Sequence, residues 1–205
     1  MTELPPTRWA LEGEAAPTRY LDRFTGLIQT GEDIYGEARL VDAIAKRGSR
    51  ILDAGAGIGR VAHYLAGAGH EVVACEPDPA LVAGGRELYP EVSFLEKDIL
   101  ELGPDDGTFE IIVLVGNVLL FAAEGTQARL LTTLAGLLAP GGRIVAGFHV
   151  DDGPALTYPY PIANFEADLA TAGLELQHRF GGYELHPAAD NYVVALLARA
   201  TDRDD

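Results

Sequence analysis

The chain has 205 residues, 48% hydrophobic and 22% charged, and its 15 Lys and Arg face 31 Asp and Glu, a formal net charge of −16. A single domain of this size buries about 70% of the surface its unfolded chain exposes and needs no metal or disulfide; the one cysteine, Cys75, could supply neither a disulfide nor a multi-cysteine metal site. The acid excess argues against nucleic acid as a partner, and the apolar stretch 111–123, broken by Gly116 and Asn117, is shorter than the ~18–20 residues of a membrane span.

The start, MTELPPTRW, lacks the basic and apolar regions of a secretory signal, so a soluble cytoplasmic protein is expected. Tyr20, Leu21, Phe24, Leu27 and Ile28 fall at helical spacing, as do Leu40, Val41 and Ile44. Two short helices follow from this, the second closed by Lys46 and Arg47 in its last turn and by Gly48 as its C′ cap. From Arg50 onward strands at 50–54, 71–76, 92–95, 109–115 and 143–148 alternate with helices at 60–68, 79–88 and 126–138. Asp78-Pro79 reads as an N-cap and first helical residue, and Ala139-Pro140-Gly141-Gly142 as a stop and turn. The run Ile111-Ile112-Val113-Leu114-Val115 suits a strand buried on both faces, as in a parallel sheet covered by helices. A helix at 162–172 capped by Gly173 leads to strands at 174–180 and 191–199, with no helix between them, so these two pair antiparallel. The expected fold is α/β and doubly wound, and residues 202–205 read as a solvated acidic end.

Chemistry concentrates in Ile51-Leu52-Asp53-Ala54-Gly55-Ala56-Gly57-Ile58-Gly59-Arg60, a strand running into alternate glycines and then a helix. Glycine lets the main chain approach a ligand closely, and a helix start offers N–H groups and a positive partial charge. Glu76, after the second strand, can accept both hydroxyl hydrogens of a ribose, and Asp98, after the third, can take an adenine amino group. Two cofactors compete for this edge. The dinucleotide fingerprint G-x-G-x-x-G needs glycine where Arg60 stands, and a pyrophosphate gives no reason for Asp53 ahead of the turn. S-adenosylmethionine carries an ammonium and a sulfonium, both positive, and suits the acids better. An NAD(P)-dependent oxidoreductase and a non-catalytic S-adenosylmethionine-binding protein remain as alternatives.

The sequence resembles the class I S-adenosylmethionine-dependent methyltransferases, particularly their small single-domain members. The resemblance covers roughly residues 36–199 and rests on the glycine-rich segment 52–59, on Cys75-Glu76-Pro77-Asp78, on Asp98, on Phe109 through Asn117, and on Leu138-Ala139-Pro140-Gly141-Gly142-Arg143. It implies a Rossmann-like seven-stranded sheet of order 3-2-1-4-5-7-6 with strand 7 antiparallel. It also implies that Asp53, Gly55, Ala56, Gly57, Gly59, Glu76, Pro77, Asp98, Ile99, Gly116 and Asn117 form the cofactor site. An Asp/Asn-Pro-Pro-Tyr/Phe segment is missing at the fourth motif, which weighs against nucleobase and glutamine-amide acceptors.

The acceptor wall is expected in the Pro- and Tyr-rich segment 149–161, with Tyr158 or Tyr160 lining the pocket and His149 as a base or as a tie for the loop. Residues 1–48 are expected to form a helical lid on the core 49–205, within one domain, with Tyr20, Tyr35 and Arg39 facing inward and Arg39 near the cofactor carboxylate. His63, His70, His178 and His186 have no metal-ligand spacing, so no metal is expected. The reading is in-line methyl transfer to a small-molecule acceptor by a monomer or homodimer.

Overall fold

In the computed structural model, which describes residues 5–151, 153–155 and 157–200, the alternating pattern becomes one seven-stranded sheet. Residues 1–4, Asp152 and Leu156 of the expected acceptor wall, and the expected acidic end 202–205 lie outside the described residues. The strands are β1 Arg50–Ala54, β2 Glu71–Cys75, β3 Ser93–Leu95, β4 Phe109–Leu114, β5 Leu138–His149, β6 Leu174–Phe180 and β7 Tyr192–Arg199. They stand in the order β3-β2-β1-β4-β5-β7-β6. The first five pair in parallel, and β7 runs antiparallel to both β5 and β6.

Side chains alternate across the sheet, and both faces are apolar. Leu52, Ala54, Ile112, Leu114, Ile144 and Ala146 pack with helices α7 (Gln127–Gly136) and α8 (Ile162–Thr171). Their neighbours Ile51, Ile111, Val113 and Val145 pack on the other face with α3 (Gly36–Ile44) and α4 (Arg60–Gly67). This is why the run 111–115 is continuous rather than alternating. Parallel strands all end on one edge, so the residues that follow β1, β2, β3 and β4 converge there. Helix α5 (Pro79–Leu88) starts on Asp78, whose Oδ1 accepts from the Ala80 and Leu81 N–H groups at 2.9 and 3.3 Å.

The N-terminal region differs from the expectation. Among the described residues three helices precede the sheet: α1 (Arg8–Leu11), α2 (Ala16–Thr30) and α3; α2 runs fifteen residues and is not short. Helix α3 ends at Ile44, and Gly48 (φ 71°) sits in the turn before β1 instead of capping the helix. Arg47 still serves the helix end, donating to the Asp42 carbonyl at 2.6 Å. Strand β5 begins five residues earlier than expected because Leu138 pairs with Phe109 before the register shifts to Ile111 and Arg143. A Cβ at Gly142 would lie 2.9 Å from the Ala139 carbonyl oxygen and 3.0 Å from that of Phe109, so only glycine fits this crossing. A further helix, α6 (Val118–Phe121), follows Asn117. Among the described residues no helix is long and apolar enough to cross a membrane, and no His, Cys, Asp and Glu cluster could hold a metal ion.

Candidate active site

The turn after β1 is built from left-handed glycines, Gly55 (φ 77°), Gly57 (φ 58°) and Gly59 (φ 78°). A Cβ at Gly59 would lie 2.7 Å from the Phe94 ring, so this glycine lets α4 start against β3, and it does not line the pocket described below. Several of the turn's N–H groups bond within the protein. Gly55 and Ala56 both donate to the Cys75 carbonyl, at 2.8 and 3.0 Å, and Gly57 donates to Glu76 Oε2 at 2.9 Å. The open N–H groups expected of the turn are thus already bonded at Gly55, Ala56 and Gly57.

What faces the ligand space is acidic and apolar. A pocket is lined by Gly55, Gly57, Glu76, Pro77, Asp98, Ile99 and Gly116, and by Trp9, Tyr20 and Phe121 from the helices above. Glu76 is buried, and its Oε1 accepts from the Asp78 N–H at 3.0 Å while Oε2 takes Gly57. Burial pushes its carboxyl up to about 7 against the pull of those two N–H groups. Asp98 accepts from the Leu100 N–H at 2.8 Å, the capping role expected of a strand-end Asp, yet it also lines the pocket. Asp53 lies behind the turn, off the pocket wall; its Oδ2 accepts from the Ala62 N–H at 3.1 Å. Ala56 is likewise buried behind the turn.

Beyond Gly116 a second cavity of about 650 Å³ opens, sharing Trp9, Tyr20, Gly116 and Phe121 with the first. Asn117 and His149 line it. The expected tyrosines do not. Tyr160 turns into the core, tilted against Phe148 and edge-to-face with Phe165, with its hydroxyl 2.5 Å from Asp168 Oδ2. Tyr158 lies under the Arg8 guanidinium, off both cavity walls. Their place is taken by Tyr183 and Tyr192, whose hydroxyls stand 3.0 Å apart. Tyr192 is paired with His149 across β5 and β7. Arg39 is also corrected: it is exposed and doubly bonded to Asp33 at 2.7 Å, at the outer cavity and away from the acid pocket. Tyr35 packs among Tyr64 and His63 rather than facing the ligand space. Trp9, the single tryptophan, was missed; its Nε1–H donates to Asp78 Oδ2 at 2.7 Å.

Residues 51–142 match the family model of a methyltransferase domain. The solved structure of a TehB-like SAM-dependent methyltransferase from Corynebacterium glutamicum is 34% identical, covers 90% of this chain and 98% of its own, and superposes with a TM-score of 0.82. The chain belongs to the class I S-adenosylmethionine-dependent methyltransferases. A demethylmenaquinone methyltransferase from Beutenbergia cavernae is 30% identical over 62% of this chain and 52% of its own, so the chain spans about half the length of the curated relatives it matches. A SAM-bound magnesium protoporphyrin IX methyltransferase from Synechocystis, 20% identical over 80% of this chain and 76% of its own, shares the fold with a TM-score of 0.63.

The pocket of this methyltransferase fits its family's cofactor by the chemistry of its acceptors. Each Glu76 oxygen has accepted one N–H and keeps capacity for a second hydrogen, as a ribose diol requires. The buried acids also carry a stability signature. Burial raises Asp53 to about 7, against the lowering effects of Arg60 and the Ala62 N–H, and Glu76 behaves alike. A carboxyl raised on folding stabilises fully below its unfolded value near 4, and that contribution is lost as pH rises through about 7. The unliganded methyltransferase is therefore expected to melt lower at pH 8 than at pH 5.5. Asp53→Asn should flatten that slope and gain ~2 kcal/mol at pH 8, about half the ceiling set by the shift, because the new amide hydrogens need partners. Melting curves of both proteins at the two pH values test this, and equal slopes would refute it.

Proposed function

We propose that this methyltransferase modifies a small-molecule acceptor seated in the outer cavity. The observation that carries the reading is the shared wall: the acid-lined pocket and the 650 Å³ cavity meet at Trp9, Tyr20, Gly116 and Phe121. The outer volume is that of a small-ligand site, in keeping with a relative's acceptor, 1,6-didemethyltoxoflavin. S-adenosylmethionine supplies a methyl group already activated by its sulfonium. The chain's own residues hold and enclose. Glu76 takes the ribose hydroxyls, Asp98 and Ile99 take the adenine, Gly55, Gly57 and Pro77 form the floor, and Asp53 acts from behind through the turn. Gly116 and Asn117 stand between the two ligands. Helices α1 and α2 serve as a lid that keeps water out: Trp9 is bonded to Asp78, and a Cβ at Gly57 would lie 3.0 Å from the Tyr20 hydroxyl. Enclosure of this kind keeps the reacting groups aligned and dry.

Titration calorimetry with S-adenosylmethionine, S-adenosylhomocysteine and NAD tests the reading. Binding of the two adenosyl ligands without NAD supports it, and transfer of labelled methyl to a metabolite pool separates an enzyme from a cofactor-binding protein. Binding of NAD alone overturns it.

A further inference from the structure

Asn117 and His149 are tied together in a way that fixes the chemistry of the imidazole. Asn117 Oδ1 lies 2.8 Å from the backbone nitrogen of His149 and 3.0 Å from its Nδ1. A backbone N–H can only donate, so the Asn117 atom is the oxygen, and Nδ1 must carry a hydrogen to bond with it. The neutral ring then has its lone pair on Nε2. Nε2 has no protein partner among the described residues and is not among their buried unpartnered atoms. The ring is held edge-to-face on Tyr192, with centroids 4.7 Å apart. Asn117 is itself fixed in a left-handed turn (φ 71°), with its N–H on the Gly147 carbonyl at 3.2 Å.

The cavity this ring faces is aromatic and balanced in charge. Trp9, Tyr20, Phe24, Phe121, Tyr183 and Tyr192 line it. Its arginines are largely matched by acids: Arg39 pairs with Asp33, Arg60 with Glu37 and Arg19 with Glu12, while Arg23 and Glu184 add one charge of each sign. Such a lining favours a flat, uncharged ligand through ring stacking. A base is needed only by a nucleophile that arrives protonated; a neutral amine already offers its lone pair, whereas a phenol, with a pKa near ~10, does not.

Resting on the proposed reading of the cavity as the acceptor site, we propose that it takes a neutral aromatic acceptor bearing a phenol-type hydroxyl. His149 Nε2 receives that hydroxyl's proton, and Asn117 is the positioning residue that sets the tautomer. The O–H bond breaks, its electron pair stays on the oxygen as phenolate, and a new N–H bond forms at Nε2.

The probe is 4-nitrophenol, whose anion absorbs in the visible, with 4-nitroanisole as a control that has no proton to give. On binding the full chain without cofactor, 4-nitrophenol is expected to show a larger phenolate fraction, and so a lower ionisation midpoint, than in free solution. His149→Gln should keep binding and lose that increase. Asn117→Ala should shrink it, and Asn117→Asp, which keeps an acceptor at the same place, should restore it. Long-range proton–nitrogen NMR of the unliganded wild type should show hydrogen on Nδ1, a readout that needs no variant to fold. Hydrogen on Nε2, absence of 4-nitrophenol binding, or an ionisation increase that survives in His149→Gln would each overturn the proposal. None of these measurements uses the cofactor, so failure here is distinguishable from a failure of adenosyl-ligand binding.

Discussion

Glu76→Ala is expected to weaken S-adenosylmethionine binding at least ~100-fold, measured by titration calorimetry. The carboxylate lines the pocket and is presented by two N–H bonds, from Gly57 and Asp78, that fix both its oxygens. Hydrogen bonds to a charged acceptor contribute about 1.5–3 kcal/mol each, so loss of the two proposed ribose contacts would remove ~3–6 kcal/mol. Truncation also leaves the Gly57 N–H without its acceptor, which lets the second left-handed glycine drift from its place. Asp98→Ala should lose less, because Asp98 is spent in part on capping the turn after β3 through Leu100. Glu76→Gln should fall between the two, keeping one acceptor and the shape. Melting curves of each variant separate unfolding from loss of the ligand. An Ala variant that stays folded and binds within a few-fold of wild type would remove Glu76 from the site.

The elements that were legible in the sequence are those governed by local or periodic rules. The buried run 111–115, the Asp78-Pro79 helix start, the glycine turn and the final hairpin each follow from backbone chemistry or from burial on both faces. What was not legible depends on which side chains meet across long separations. Tyr158 and Tyr160 stand in a loop at the right edge, but a loop can point its side chains inward or outward. Tyr160 went into the core because Phe148 and Phe165 offered aromatic faces and Asp168 an acceptor. Tyr192 meets His149 through the pairing of β5 with β7, which the β6–β7 hairpin does not set. Tyr183 and Trp9 were not legible either, because nothing local ties them to the cavity. Arg39 illustrates competition: Asp33, six residues away, provides both oxygens and leaves the guanidinium at the rim.

Arg60 entered the sequence reading only as a departure from the dinucleotide pattern, yet it has a structural role of its own. Replacing it by methionine is expected to cost about 3–5 kcal/mol of stability, a fall in melting temperature of roughly 10 °C for a chain of this length. Its Nη1 and Nη2 bond Glu37 at 2.9 and 2.5 Å, it also donates to the Ile34 carbonyl, and its guanidinium lies 5.4 Å from the Phe24 ring centre. One side chain thus joins α4, which follows the glycine turn, to α2, α3 and the segment between them. Both partners are largely buried, at 10% and 17% side-chain exposure, so removing the cation leaves the Glu37 carboxylate desolvated and uncompensated. Burial pulls the Arg60 pKa down, but the bond and charge of Glu37 outweigh it and hold it above its ordinary value. The Arg60→Met, Glu37→Gln double variant should therefore recover much of the loss, because the price of the single change lies mainly in the stranded charge. A coupling of at least ~2 kcal/mol in a double-mutant cycle, read from denaturant curves at pH 7, is the expected result. Additive losses would instead assign the stability to the Phe24 and Ile34 contacts and leave the ion pair with no net share in holding the N-terminal helices over the site.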